Sequence, residues 1–148
     1  MQQLIDIRRE TAEELALHAM LPLLERGHPL VVLFSAGKDS SVLANLAATA
    51  AARVVATGRR ALVVLAHADV LVENPEIARL ARHEIDKYRR FCEGKGVDVA
   101  VRVARPAFWD SFAVRVLGGR ALPTFPDTRR DCTTDWKRLA NSRGLAAL

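Results

Sequence analysis

Aromatic residues make up only 5% of this 148-residue chain, so its core has to be built from alanine, valine and leucine. Half of the residues are hydrophobic and 26% are charged, enough for a packed domain and too apolar for wholesale disorder. Only two cysteines are present, Cys92 and Cys132. Two cannot build a disulfide framework, and the chain by itself cannot supply a four-cysteine metal site. No apolar run approaches the ~20 residues of a membrane span. The opening MQQLIDIRRETAEE puts charges where a signal peptide needs an apolar stretch. These absences predict a soluble, cytoplasmic chain with no membrane partner, and the length predicts a single domain over residues 1–148.

Lysine is rare as well. Only Lys38, Lys87, Lys95 and Lys137 contribute to the 22 basic residues, which outnumber 17 acidic ones for a net charge of +5. The rest are arginines, whose planar fork grips phosphate, sulfate or nucleic acid bidentately. Arginine and alanine are also what GC-rich coding favours, so charge alone does not select a ligand.

What is present is a regular alternation. Thr11 to Arg26 carries apolar residues at helical spacing, with Thr11 and Glu14 in capping-box relation and Pro22 placed to kink or end the helix. Leu30 to Phe34 is a continuous apolar run, the pattern of a strand buried on both faces. A helical pattern follows from Asp39 to about Ala56, then a second apolar run, Ala61 to Ala66. A loop from His67 to Pro75 leads into a helix from about Glu76 to Glu93, and Val97 to Val103 reads as a third strand. Strand–helix–strand–helix–strand in about a hundred residues predicts parallel βαβ units with helices on both faces of the sheet. In such sheets ligands bind beyond the carboxyl ends of the strands, so the segments after the first two strands are the candidate chemistry.

The first is Ser35-Ala36-Gly37-Lys38-Asp39-Ser40-Ser41. A short loop of small residues opening a helix offers backbone N–H groups and the positive dipole end to an anion. Serine hydroxyls and Lys38 add donors and charge. Asp39 would repel a bare phosphate and makes sense with Mg²⁺ between carboxylate and phosphate oxygens. The spacing is not that of a Walker A loop. A plain strand-to-helix turn with serine caps is the bland alternative. The second segment, His67-Ala68-Asp69-Val70-Leu71-Val72-Glu73-Asn74-Pro75, offers Asp69 and Glu73 to ribose hydroxyls or metal and Val70 to Val72 as a wall for a base. Asn74 reads as a helix cap, and His67 as a satisfied structural histidine. A third stretch follows a short amphipathic helix at Phe112 to Leu117. There Arg129, Arg130, Lys137 and threonine hydroxyls surround Cys132, a setting for an oxyanion beside an activated thiol. Cys92, next to Phe91 in a helix, reads as structural.

The first segment resembles the Ser-Gly-Gly-x-Asp-Ser pyrophosphate loop of the N-type ATP pyrophosphatases, with Ala36 in a usual glycine position. Its Lys-Asp-Ser form is similar to the phosphoadenosine-phosphosulfate (PAPS) reductase branch. Asp-x-Leu-Val-Glu-Asn-Pro (69–75) looks like the matching segment of the DndC-like DNA phosphorothioation sulfurtransferases, and Arg-x-Cys-Thr-x-x-x-Lys (130–137) like the stretch facing the nucleotide in both groups. The resemblance spans residues 30–138. It implies an α/β, three-layer αβα domain with a parallel sheet, adenine nucleotide α-hydrolase-like (Rossmann-like), of strand order 3-2-1-4-5. Strands four and five have no counterpart here, so the expectation is a chain truncated at its C-terminus, or one whose open edge is covered by another subunit or a second copy.

The resemblance also implies an activity, adenylation of a substrate by ATP α–β cleavage so that sulfur can be transferred, as in DNA phosphorothioation. Ser35, Ala36, Gly37, Lys38, Ser40 and Ser41 would bind pyrophosphate, Asp39 Mg²⁺, and Asp69, Glu73, Arg130 and Thr133 the nucleotide, with Lys38, Asp39, Cys132 and Lys137 in catalysis. Cys132 would be one ligand of a 4Fe–4S cluster whose other cysteines come from elsewhere, and a cysteine desulfurase or other sulfur donor would be a partner. The alternatives are a relative of the PAPS or APS sulfonucleotide reductases, without their C-terminal Glu-Cys-Gly-Leu-His stretch, and a non-catalytic nucleotide-binding or partner-dependent remnant.

Overall fold

The computed structural model describes residues 10–120 and 133–146, with the side chains of 133–135 excepted. Helix α1 (Ala12–Glu25) starts at Thr11, whose hydroxyl accepts from the Glu14 N–H while Glu14 reaches back to the Thr11 N–H. Pro22 does not end it; the helix runs three residues further. Strand β1 (Leu30–Leu33) leads into α2 (Lys38–Val55), β2 (Leu62–Ala68), α3 (Pro75–Glu93) and β3 (Asp98–Ala104). After β3 come a 3₁₀ turn (Phe108–Asp110), two π-helical turns (Ala113–Leu117 and Thr133–Arg138) and helix α4 (Leu139–Ala146).

The three strands form one parallel sheet in the order β1-β2-β3, with β2 in the middle. This is an α/β fold, a parallel sheet flanked by helices. Side chains alternate across a strand. Val32, Phe34, Val63 and Leu65 therefore share one face, and the core packs there against Leu17 and Leu24 of α1, the alanines of α2, and Ile85, Tyr88 and Cys92 of α3. Ala44, Ala47, Ala48 and Ala51 repeat at three- and four-residue spacing and are buried. Their small side chains let α1 lie close, which is how a core with few aromatics fills its space.

Three expectations are corrected here. Helices α1, α2 and α3 all lie on one face, because two right-handed crossovers that step in the same direction along a sheet put their helices on the same side. Only α4 lies on the other face, over β2 and β3, with Gly144 against Ala104. Nor is β1 buried on both faces. It pairs only with β2 among the described residues, leaving Val31 and Leu33 about half exposed at 44% and 52%. Finally, His67 and Ala68 belong to strand β2 rather than to the loop, because β3 continues the ladder to His67↔Val103 and Ala68↔Ala104.

Cys92 is fully buried, and burial pushes its thiol above the ordinary cysteine range. It therefore stays protonated and inert, a packing residue as expected. Its neighbour Tyr88 is also pushed upward by burial and donates its O–H to the Ala44 carbonyl at 2.9 Å. Among the described residues, no helix is long and apolar enough to cross a membrane.

Candidate functional site

The loop after β1 is held by its own hydroxyls. Ser40 Oγ accepts from the Ser35 N–H at 3.2 Å and donates to the Gly37 carbonyl at 3.0 Å, and it lies 3.2 Å from Ser35 Oγ. The chain turns at Ala36 with φ 60°, a left-handed conformation that costs an L-residue about 1–2 kcal/mol and a glycine almost nothing. Ala36→Gly is accordingly expected to raise unfolding stability by about 1 kcal/mol, read as a higher denaturation midpoint. A lower midpoint would show that the alanine methyl, packed against the core, matters more than the strain.

Helix α2 begins at Gly37, which provides no side-chain cap hydrogen bond. Thr11 caps α1, and Asn74 caps α3 by accepting from the Glu76 N–H at 2.8 Å. Lys38 and Asp39 occupy the first turn of α2 and are exposed. Asp39 is a single outward carboxylate beside a helix N-terminus, which fits the way Mg²⁺ is held by one or two carboxylates together with phosphate oxygens. Cluster chemistry finds no such fit. Among the described residues no three His, Cys, Asp or Glu side chains converge, and Cys92 is sealed in the core. Arg129, Arg130 and Cys132 lie outside the described residues, as does the side chain of Thr133.

The loop after β2 is strained in the same way. Leu71 has φ 67°, and its N–H donates to Asp69 Oδ1 at 3.1 Å. Ala36 and Leu71 are the only non-glycine residues with positive φ among those described, so both strained positions fall in the two loops where the strands empty. Asp69 also takes the Arg105 Nε–H at 3.2 Å. Arg105, at the end of β3, has no signal in its sequence neighbourhood that would have singled it out.

Three distant segments meet at this end of the sheet around a cavity of about 180 Å³. Leu33, Phe34 and Ser35 come from β1 and its loop, His67, Ala68 and Glu73 from β2 and the following loop, and Lys137, Arg138 and Asn141 from the C-terminal helical segment. Lys137 Nζ stands 3.7 Å from Glu73 Oε1. Three of the sequence-selected residues, Ser35, Glu73 and Lys137, thus line one space. Asp69 instead lines an adjoining hollow of about 300 Å³ with Arg82 and Arg105, and the two spaces share His67 and Glu73. Ser41 opens on a separate hollow between α2 and α3, lined also by Tyr88 and Phe91. Of the proposed base wall, Val70 is buried, Leu71 and Val72 are exposed, and none borders the first cavity.

The residues that carry Lys137 are clamped from behind. Phe112 and Trp136 meet edge to face with centroids 5.6 Å apart, and Arg143 pairs with Asp110 at 2.6 Å. His67 is buried, and its Nδ1 lies 2.9 Å from the Phe34 carbonyl oxygen. It is thus partly satisfied, as expected, yet it also borders the cavity. Arg138 and Asn141 border it too and were not singled out in the sequence, because a polar residue within a short helix carries no periodic or motif signal.

No protein-family model, curated protein or solved structure matches this chain.

Proposed function

We propose that this chain is an adenine-nucleotide-binding domain of the ATP pyrophosphatase type, Rossmann-like in class, that adenylates a substrate for sulfur transfer in the manner of DndC-like DNA phosphorothioation. The observation that carries the reading is the meeting of Ser35, Glu73 and Lys137 around one cavity at the carboxyl ends of parallel strands. These three lie far apart in sequence, and each comes from a different motif of the resemblance. The strained turn at Ala36, where that family has glycine, supports it further.

On this reading the N–H groups of the Ser35–Ser41 loop, the N-terminus of α2 and Lys38 hold the β- and γ-phosphates. Asp39 would hold Mg²⁺, which supplies charge neutralisation on the phosphate oxygens. A substrate oxygen, such as one on a DNA backbone phosphate, forms a bond to the α-phosphorus as the bond to the bridging oxygen breaks. Pyrophosphate leaves, and the substrate carries AMP as a leaving group for sulfur to displace. Positioned charge is the chief contribution to such a step. Lys137, held by Glu73, sits where charge on the nucleotide can be met. Arg130, Cys132 and Thr133 are assigned to the nucleotide and sulfur side by the resemblance alone, as are a cysteine desulfurase or other sulfur donor and a 4Fe–4S cluster. No step is assigned to a cluster.

The test is a titration of ATP with and without Mg²⁺ against the wild type and Asp39→Ala. Mg²⁺ is expected to tighten binding to the wild type and to have no effect on the variant. Equal affinity in all four conditions would sink the metal–pyrophosphate assignment. A second reading, a non-catalytic nucleotide-binding subunit working against a partner or a second copy, draws on the half-exposed Val31 and Leu33 of edge strand β1. It expects ATP to bind without pyrophosphate being released. Sulfite release from a sulfonucleotide with a thiol donor would instead favour a reductase relative.

A further inference from the structure

Asn141 borders the cavity and is only 9% exposed, yet its Oδ1 has no hydrogen-bond partner. A buried acceptor left unpaired is costly and is seldom tolerated without a reason. A second acceptor borders the same space. The Phe34 carbonyl can only accept, so His67 Nδ1 carries the proton that joins them, and a neutral ring leaves Nε2 as an acceptor. The walls of the cavity are otherwise largely apolar, with Leu33, Phe34 and Ala68 among them. At about 180 Å³ it is smaller than the ~300–1,000 Å³ of pockets that enclose a drug-sized ligand. It suits a flat heterocycle whose remainder lies outside, and Ser35 belongs both to its lining and to the phosphate loop.

We infer that Asn141 is a specificity residue that reads the amino edge of a 6-aminopurine, Oδ1 accepting from the exocyclic amine and Nδ2 donating to a ring nitrogen. This inference rests on the nucleotide-binding reading above and adds to it the group that selects the base. A side-chain amide is the natural partner for that edge because it offers one acceptor and one donor side by side. An oxo group in place of the amine points a lone pair at Oδ1 and leaves the amide mispaired.

A structural alternative is specific and separable. Trp136 Nε1 is also buried without a partner, and a small rotation or a shared water could pair it with Asn141. Binding of ATP and of ITP, which carries the oxo group, to the full chain distinguishes the two, with melting curves recorded for each variant. The wild type is expected to prefer ATP by about tenfold or more. Asn141→Leu is expected to bring the preference to near unity by weakening ATP alone, while its melting temperature holds or rises. Asn141→Asp, which keeps an acceptor, is expected to retain the preference. A wild type that binds both nucleotides equally overturns this inference and leaves the nucleotide reading standing. A wild type that binds neither overturns both. A lowered melting temperature in Asn141→Leu with the ATP preference unchanged assigns Asn141 to Trp136 and overturns the inference as well.

Discussion

Lys38→Ala is expected to slow pyrophosphate release from ATP by roughly 10²–10³-fold, the usual consequence of removing one preorganised charge stabiliser, without lowering the melting temperature. Lys38 is exposed in the first turn of α2 and makes no ion pair among the described residues. A cation at that end opposes the helix dipole, a small local destabilisation of a few tenths of a kcal/mol. Its removal therefore leaves the fold unharmed or slightly improved. A residue that works against its own helix while sitting beside a strained turn is placed for something other than folding. Lys95→Ala is the control. It removes the same charge from the far end of α3, where Lys95 lies over the Phe91 ring at 5.0 Å, and is expected to leave turnover unchanged. Equal losses in the two variants would mean that diffuse positive charge, not the loop, handles the phosphates.

The second large effect lies in the core. Leu65 is fully buried at the centre of β2, between the other two strands. Leu65→Ala is expected to cost about 3 kcal/mol through lost burial and the cavity left behind. Val31→Thr, on the opposite face of β1 and 44% exposed, is expected to change stability by no more than about 0.5 kcal/mol. Urea denaturation of both variants checks this through the midpoints at constant slope. Similar costs at the two positions would show that the outer face of β1 is covered in solution.

That contrast also shows what the sequence could and could not reveal. The order of elements, the caps at Thr11 and Asn74, and the loop opening α2 were legible because each depends on neighbours within a few residues. The need for a left-handed backbone at Ala36 was legible too, as a mismatch between alanine and the loop's usual glycine. The burial of β1 was not legible. Leu30 to Phe34 has no alternation to mark an outer face, and what covers a strand is decided by elements elsewhere in the chain. The extra residues of β2 depend on how far β3 pairs alongside it, a long-range matter. Helix α4 is short and weakly amphipathic, so its eight residues carry little periodic signal. The same holds for Arg105, Arg138 and Asn141, whose importance comes from where they meet other segments.

Tyr88 joins the middle of α3 to the first half of α2 through one hydrogen bond inside the core. The phosphate loop opens α2, and Glu73 stands just before α3, so these two parts of the site are mounted on a single braced frame. Lys137 and Asn141 are mounted separately, on a short helical segment tied down by Arg143 and Trp136. Anion handling and base selection therefore belong to different mechanical parts. Substitutions in α4 can alter which base is accepted without disturbing the packing that holds the phosphate loop, so the two properties are free to evolve independently.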